Sequence, residues 1–117
     1  MALIFRYGGG PVLEFKNDMI YKFGGPPLFR FSDDYLCEYA GPPKYRFRGD
    51  YIDYYAGPPF ARYDNDTLFR YAGPPEYLVR GNRIDRYAGP PVYMIQGYLT
   101  DRELMALLAI ILDDEVL

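Results

Sequence analysis

Apolar positions recur along this chain every 16 residues. The units are counted from the first aromatic of each, at Tyr7, Phe23, Tyr39, Tyr55, Tyr71 and Tyr87. Position 14 is apolar throughout, as Ile20, Leu36, Ile52, Leu68 and Ile84. Position 9 is Phe15, Phe31, Phe47, Tyr63, Val79 and Ile95, and position 7 is Leu13, Phe29, Tyr45, Ala61, Tyr77 and Tyr93. Positions 8 and 10 are mostly polar, with Arg30, Arg46 and Arg62 at the former and Lys16, Ser32, Arg48, Asp64 and Arg80 at the latter. Alternation with a period of two is the mark of a strand with one buried face. Positions 11 and 12 are dipeptides of Gly, Asn and Asp, such as Asn17-Asp18 and Asn65-Asp66. These residues tolerate the positive φ that two-residue hairpin loops need. Each unit therefore predicts a β-hairpin. The loop sets position 9 opposite 14 and position 7 opposite 16, so the most apolar positions meet on one face. A slip of one residue would destroy the match.

The units are joined by Tyr-Ala-Gly-Pro-Pro, as at Tyr39–Pro43, or by looser copies such as Phe23-Gly24-Gly25-Pro26-Pro27. Proline cannot donate to a ladder, so both prolines are expected outside it. A four-residue loop here would set position 1 opposite the next position 6, and position 14 beside the next position 9. The two ends of the repeat region are complementary. Residues 1–6 fill positions 11–16 of a unit whose first half is missing, and the last unit keeps its first strand, Val92 to Gln96, before leaving the pattern. Twelve strands follow. Ile4 can then lie beside Ile95, closing the meander and removing both sheet edges. An open meander, two packed sheets, or a parallel β-solenoid with a 16-residue coil are the alternatives. The solenoid would place Lys22, Glu38, Arg70 and Arg86 on its inner face, whereas in a ring they stand at an open mouth.

Residues 1–99 thus form the repeat domain, and residues 100–117 a C-terminal segment. Thr100 and Glu103 fit a helix capping box. From Asp101 to about Leu112 the sequence is rich in strong helix formers and apolar on nearly every side. Such a helix must be buried, either as a plug on the apolar face of the ring or at an interface through Leu104, Leu108 and Ile111.

Composition narrows the function. There is no His, one Ser (Ser32) and one Cys (Cys37). Ser–His and Cys–His catalysis and Cys/His zinc sites are excluded in their usual forms. The Gly residues sit at turns, so there is no phosphate loop. A net charge of −3 argues against nucleic acid as a partner. The lone cysteine favours a reducing compartment, the cytoplasm. No secretory signal is expected from MALIFRYGGG, and the run from Leu104 to Leu112 is too short to span a bilayer. Asp18, Asp33, Asp34, Asp50, Asp64 and Asp66 cluster at the hairpin tips, where turn chemistry explains them. Pro-Pro-x-Tyr, as in Pro42-Pro43-Lys44-Tyr45, has its Tyr on the predicted core face. Arg48-Gly49-Asp50 and Asn65-Asp66-Thr67 coincide with hairpin loops.

The stretches GPPKYRFRGDYIDYYAG and GPPEYLVRGNRIDRYAG resemble the tandem hairpin repeats of uncharacterised bacterial proteins, including a four-fold β-flower type. The resemblance implies an all-β repeat fold and carries no functional residue. This chain departs from it in lacking Trp and in having six units. The remaining candidate is a rim at the Gly-Pro-Pro end, built from Arg6, Lys22, Arg70 and Arg86 with Tyr39, Tyr55, Tyr71 and Tyr87. Tyr and Arg are good contact residues for proteins or sugars. The sequence therefore points to a non-enzymatic scaffold, without cofactor or metal, that binds a protein partner or itself. A multivalent carbohydrate-binding module and a carboxylate hydrolase are the alternatives.

Overall fold

The computed structural model describes residues 1–114 and 117. Its strands are β1 (Ala2–Arg6), β2 (Pro11–Lys16), β3 (Met19–Lys22), β4 (Pro27–Ser32), β5 (Tyr35–Glu38) and β6 (Pro43–Arg48). They continue as β7 (Tyr51–Tyr54), β8 (Pro59–Asp64), β9 (Thr67–Arg70), β10 (Pro75–Arg80), β11 (Arg83–Arg86) and β12 (Pro91–Gly97), followed by a helix, α1 (Asp101–Asp113). The twelve strands form one antiparallel meander closed into a barrel. β1 pairs with β12, and Ile4 lies opposite Ile95, so the chain's two ends complete the sixth hairpin. An open sheet and a solenoid are thereby ruled out.

The tight hairpins have the expected register: Phe15 faces Ile20, Phe31 faces Leu36 and Phe47 faces Ile52. Asn17, Asp18, Asn65 and Asp66 all have positive φ, as a type I′ loop requires. The Gly-Pro-Pro turns differ from the sequence expectation. Position 14 pairs with the next position 7, not with position 9: Ile20 faces Phe29, and Leu36 faces Tyr45. Position 1 bonds back to the preceding strand instead of forward, as in Tyr39 N–H to Leu28 O at 3.0 Å. The turn itself is tighter than four residues. Gly41 N–H donates to Glu38 O at 3.0 Å across Tyr39 and Ala40, and the second of these, Ala40, has φ 58°. The prolines are not wholly outside the ladder either. The second one opens each strand, and the carbonyl of the first accepts from position 16, as Pro42 O does from Glu38 N–H. A bulge at position 6 absorbs the difference.

This two-residue stagger recurs at every Gly-Pro-Pro turn. A shift of two keeps every side chain on its face. It also tilts the strands by about 35–45° and, with neighbours about 4.8 Å apart, sets a backbone radius of roughly 11 Å. A helix with its side chains is about 10–12 Å across, so there is room for one inside.

That is where α1 lies. Ala106, Leu107, Leu108, Ala109 and Ile110 are successive residues, and all have no solvent exposure. Only a helix surrounded on every side buries consecutive residues this way. It shares a single core with the six position-14 side chains, Ile4, Ile20, Leu36, Ile52, Leu68 and Ile84, which are equally sealed. Its thirteen residues span about 20 Å, and the short dimension of the molecule is 22 Å. The capping box at Thr100 and Glu103 is formed at its N-terminus. Ring and helix are thus one core, and Leu108 belongs to its centre.

Candidate functional site

The barrel has two rims and an outer wall. At the tight-hairpin rim, α1 begins among Asp18, Asp33, Asp50 and Asp66. Arg102 ties it down, donating to Asp33 O at 2.8 Å and Asp18 at 3.3 Å, with its guanidinium 4.6 Å from the Phe31 ring. A cavity of about 350 Å³ lies between Asp50, Tyr63, Asp64, Asp66 and Asp101. Burial pushes the Tyr63 hydroxyl up to about 12, with nearby Asp66 adding to the shift. Among the described residues, no group of three or more such side chains could hold a metal ion.

At the Gly-Pro-Pro mouth, α1 ends on a latch. The Tyr45 and Tyr54 hydroxyls donate to the two oxygens of Asp113, each at 2.7 Å, and Lys44 pairs with Asp114. Negative charge is unfavourable at a helix C-terminus, where the macrodipole is itself negative. The tyrosines and the lysine offset it. Burial, and then the bond to Asp113, raise the pKa of Tyr45 well above the usual tyrosine range. Tyr54 shifts upward too, chiefly through Asp113. Phe60 stacks on Tyr54 at 4.4 Å and closes the latch from the side.

The rim residues picked from sequence all lie at this end, but on two different faces of the wall. Arg6, Lys22, Arg70 and Arg86 occupy position 16, opposite core residues such as Leu13 and Ala61, so they ring the inside of the mouth. All four are exposed there, and Arg70 pairs with Glu76 at 3.5 Å. Tyr39, Tyr55, Tyr71 and Tyr87 are about half exposed. Tyr55 and Tyr71 lean across the outer surface, the first edge-on to Tyr35 at 5.3 Å and the second against Tyr51 at 5.9 Å. The aromatics and the basic side chains thus do not form one continuous rim. Of the helix residues, Leu104 and Ile111 are half-buried at the ends of the plug and Leu108 is sealed within it.

The outer wall of β4–β9 joins guanidinium groups to rings instead. Arg48 lies opposite Tyr51, Tyr51 opposite Arg62, and Arg62 opposite Phe69, so one row across four strands alternates cation and ring. The Arg48 guanidinium sits 4.9 Å from the Tyr51 ring, and that of Arg62 sits 4.6 Å from the Phe69 ring. Asp53 holds Arg48 through two bonds, at 3.0 and 3.3 Å, and that bond raises the pKa of Arg48 further. Arg46 stands beside this row, opposite Asp53, and is exposed. Asp53 is already committed to Arg48, and among the described residues Arg46 has no hydrogen-bond or ion-pair partner. The signal for this wall was present in the sequence as arginines 16 residues apart at position 8. Two buried aspartates mark the outer face, Asp53 and Asp85, and each lies under arginines: Asp85 takes Arg83 at 2.8 Å and Arg80 at 3.2 Å.

The outer wall is not of the lipid-facing kind. Such barrels carry a tall apolar band on strands of about 9–11 residues. Here the strands have four to seven residues, with Glu14, Arg30, Arg46 and Arg62 at their middles. No helix among the described residues is long and apolar enough to cross a membrane. No protein family, no curated protein and no solved structure matches this chain.

Proposed function

We propose that this protein is a rigid, non-enzymatic scaffold that binds a protein partner on the outer wall of β4–β9. The observation that carries the reading is the row Arg48–Tyr51–Arg62–Phe69. Stacking fixes each guanidinium before any partner arrives, so little side-chain freedom is lost on binding. Tyr and Arg dominate interface energetics for this reason among others. A barrel closed by hydrogen bonds and filled by a helix holds that row on a stiff support, and its interior has no room for a substrate.

Two of the half-exposed tyrosines, Tyr55 and Tyr71, favour protein over sugar. A pyranose ring needs an open aromatic face, and Tyr55 and Tyr71 each have a neighbouring ring against them. The test is capture from extract of the source cells on immobilised wild-type protein and on the Tyr51→Ala, Arg46→Ala variant. Proteins retained by the first and lost with the second support the reading. Identical retention on both overturns it.

A further inference from the structure

The same wall indicates the chemistry of the partner, and this inference rests on the scaffold reading above. The chain has a net charge of −3, and its carboxylates gather at the tight-hairpin rim and at the two ends of α1. The wall of β6–β9 is the opposite case. Three arginines, Arg46, Arg48 and Arg62, stand there against two carboxylates, Asp53 and Asp64. Asp53 takes the Nε and Nη2 of Arg48 and leaves its Nη1 without a carboxylate. Asp64 reaches only a single nitrogen of Arg62, at 3.0 Å, in an exposed pair of little energetic weight. Arg46 is unpaired among the described residues. Each of the three thus retains donors in the plane of its guanidinium, the geometry that takes a carboxylate by two parallel bonds.

Spacing adds to this. Arg46 and Arg62 are on β6 and β8, two strands apart, and lie opposite Asp53 and Tyr51 of β7, so they are also offset by two residues along the strand and stand roughly 12 Å apart. An extended peptide repeats its side chains on one face about every 6.5–7 Å, so residues four apart, at about 13–14 Å, match the two arginines within the reach of a long Arg and a Glu. We propose that the wall binds an extended acidic protein segment, with carboxylates on Arg46 and Arg62 and its backbone lying over Tyr51 and Tyr71. Charge complementarity selects this occupant: the rest of the chain carries more carboxylates than cations, whereas this sector has arginine in surplus and Arg46 unpaired among the described residues, so an acidic segment is favoured here.

The test uses the full chain and a fluorescein-labelled dodecapeptide of alternating Glu and Ser, read by anisotropy at low and physiological salt. A Lys–Ser peptide is the control. Saturable binding of the acidic peptide is expected, weakened by salt, and at least tenfold weaker in Arg46→Glu with Arg62→Gln. Lys22→Glu with Arg86→Glu, at the mouth, should leave it within twofold. Thermal melts check that each variant folds. If the double variant does not, Arg46→Glu alone carries the test, because that side chain is exposed and makes no bond; a loss of at least threefold is expected. No binding of the acidic peptide overturns the inference. So does equal loss in wall and mouth variants, which would reflect net charge only. Tighter binding of a single-stranded oligonucleotide of equal charge would point to nucleic acid, and self-association abolished by Arg46→Glu would point to a second copy; either overturns it. Wall-dependent capture from extract without peptide binding leaves the scaffold standing and removes only the acidic partner.

Discussion

Four alanines sit where alanine is disfavoured. Ala40, Ala56, Ala72 and Ala88 occupy the third residue of a tight turn, at φ of 58°, 55°, 53° and 55°. In the first two units the same place is held by Gly8 and Gly24, at φ of 74° and 68°. A Cβ built on either of those glycines meets nothing within 4 Å. The cost of alanine here is therefore conformational and not steric. A left-handed backbone costs an L-residue about 1–2 kcal/mol. Replacing alanine by glycine removes that strain but frees the unfolded chain, which takes back about 0.4–1 kcal/mol. Each Ala→Gly change should thus gain about 0.5–1 kcal/mol. The four turns share no partners, so the gains should add, to about 2–4 kcal/mol. Unfolding entropy of roughly 2.1 cal/mol/K per residue makes each kcal/mol worth about 4 °C in this chain. Melts followed by circular dichroism or calorimetry should show the quadruple variant about 8–16 °C above wild type. Gly8→Ala and Gly24→Ala should each fall by 2–4 °C by the same arithmetic. A quadruple variant that melts at or below the wild-type temperature would refute the reasoning. Gly57→Ala is a useful contrast, since contact and not φ governs it: its Cβ would stand 3.2 Å from that of Tyr54, which must give by a few tenths of an ångström.

Three further outcomes follow from the plug, the latch and the seam. Leu108→Ala should cost about 3–5 kcal/mol, because the site is sealed on all sides and cannot collapse; a fall in Tm under 3 °C would mean the helix is not inside. Tyr45→Phe should cost about 1.5–2 kcal/mol, the lower part of the range for bonds to charged groups, since Asp113 can turn to water. The folded pKa of Tyr45 is raised, so its stabilisation is whole below the unfolded value near 10 and is lost as pH rises beyond it. Denaturant titrations from pH 9 to 11 should show stability falling with a shallower slope in Tyr45→Phe; equal slopes would contradict the assignment. Gly97→Ala should cost about 2 kcal/mol or more by urea titration, because φ is 100° and the new Cβ would lie 2.5 Å from Met1 O; an unchanged midpoint would show the seam to be loose there.

Most of the barrel was legible because one period governs it. The dipeptides at positions 11–12 fixed the tight hairpins, and the leftover strand halves around Ile4 and Ile95 foretold closure. The Gly-Pro-Pro register was misread for a definite reason. Pairing Ile20 with Phe31 or with Phe29 changes the register by two, and both partners are apolar and on one face, so the hydrophobic pattern cannot separate them. The strained Ala40 gave no warning, since alanine carries no turn signal. The helix was legible as buried, but whether it entered the ring depended on the radius, and hence on the stagger that was misread. The outer wall was visible only as polar residues. Its alternation of Arg48, Tyr51, Arg62 and Phe69 arises between strands, where no local stretch of sequence displays it.

The stagger at the Gly-Pro-Pro turns bears on how such a gene can grow or shrink. One more hairpin adds two strands and widens the barrel radius by roughly 2 Å. Leu107 and Leu108 would then face a gap too narrow for water to fill well and too wide for contact; one hairpin fewer would crush Ile110 against the wall. The helix is therefore a gauge for the number of units. Duplication or loss of a hairpin, the easiest change in a tandem array, is penalised here unless the terminal helix changes in step.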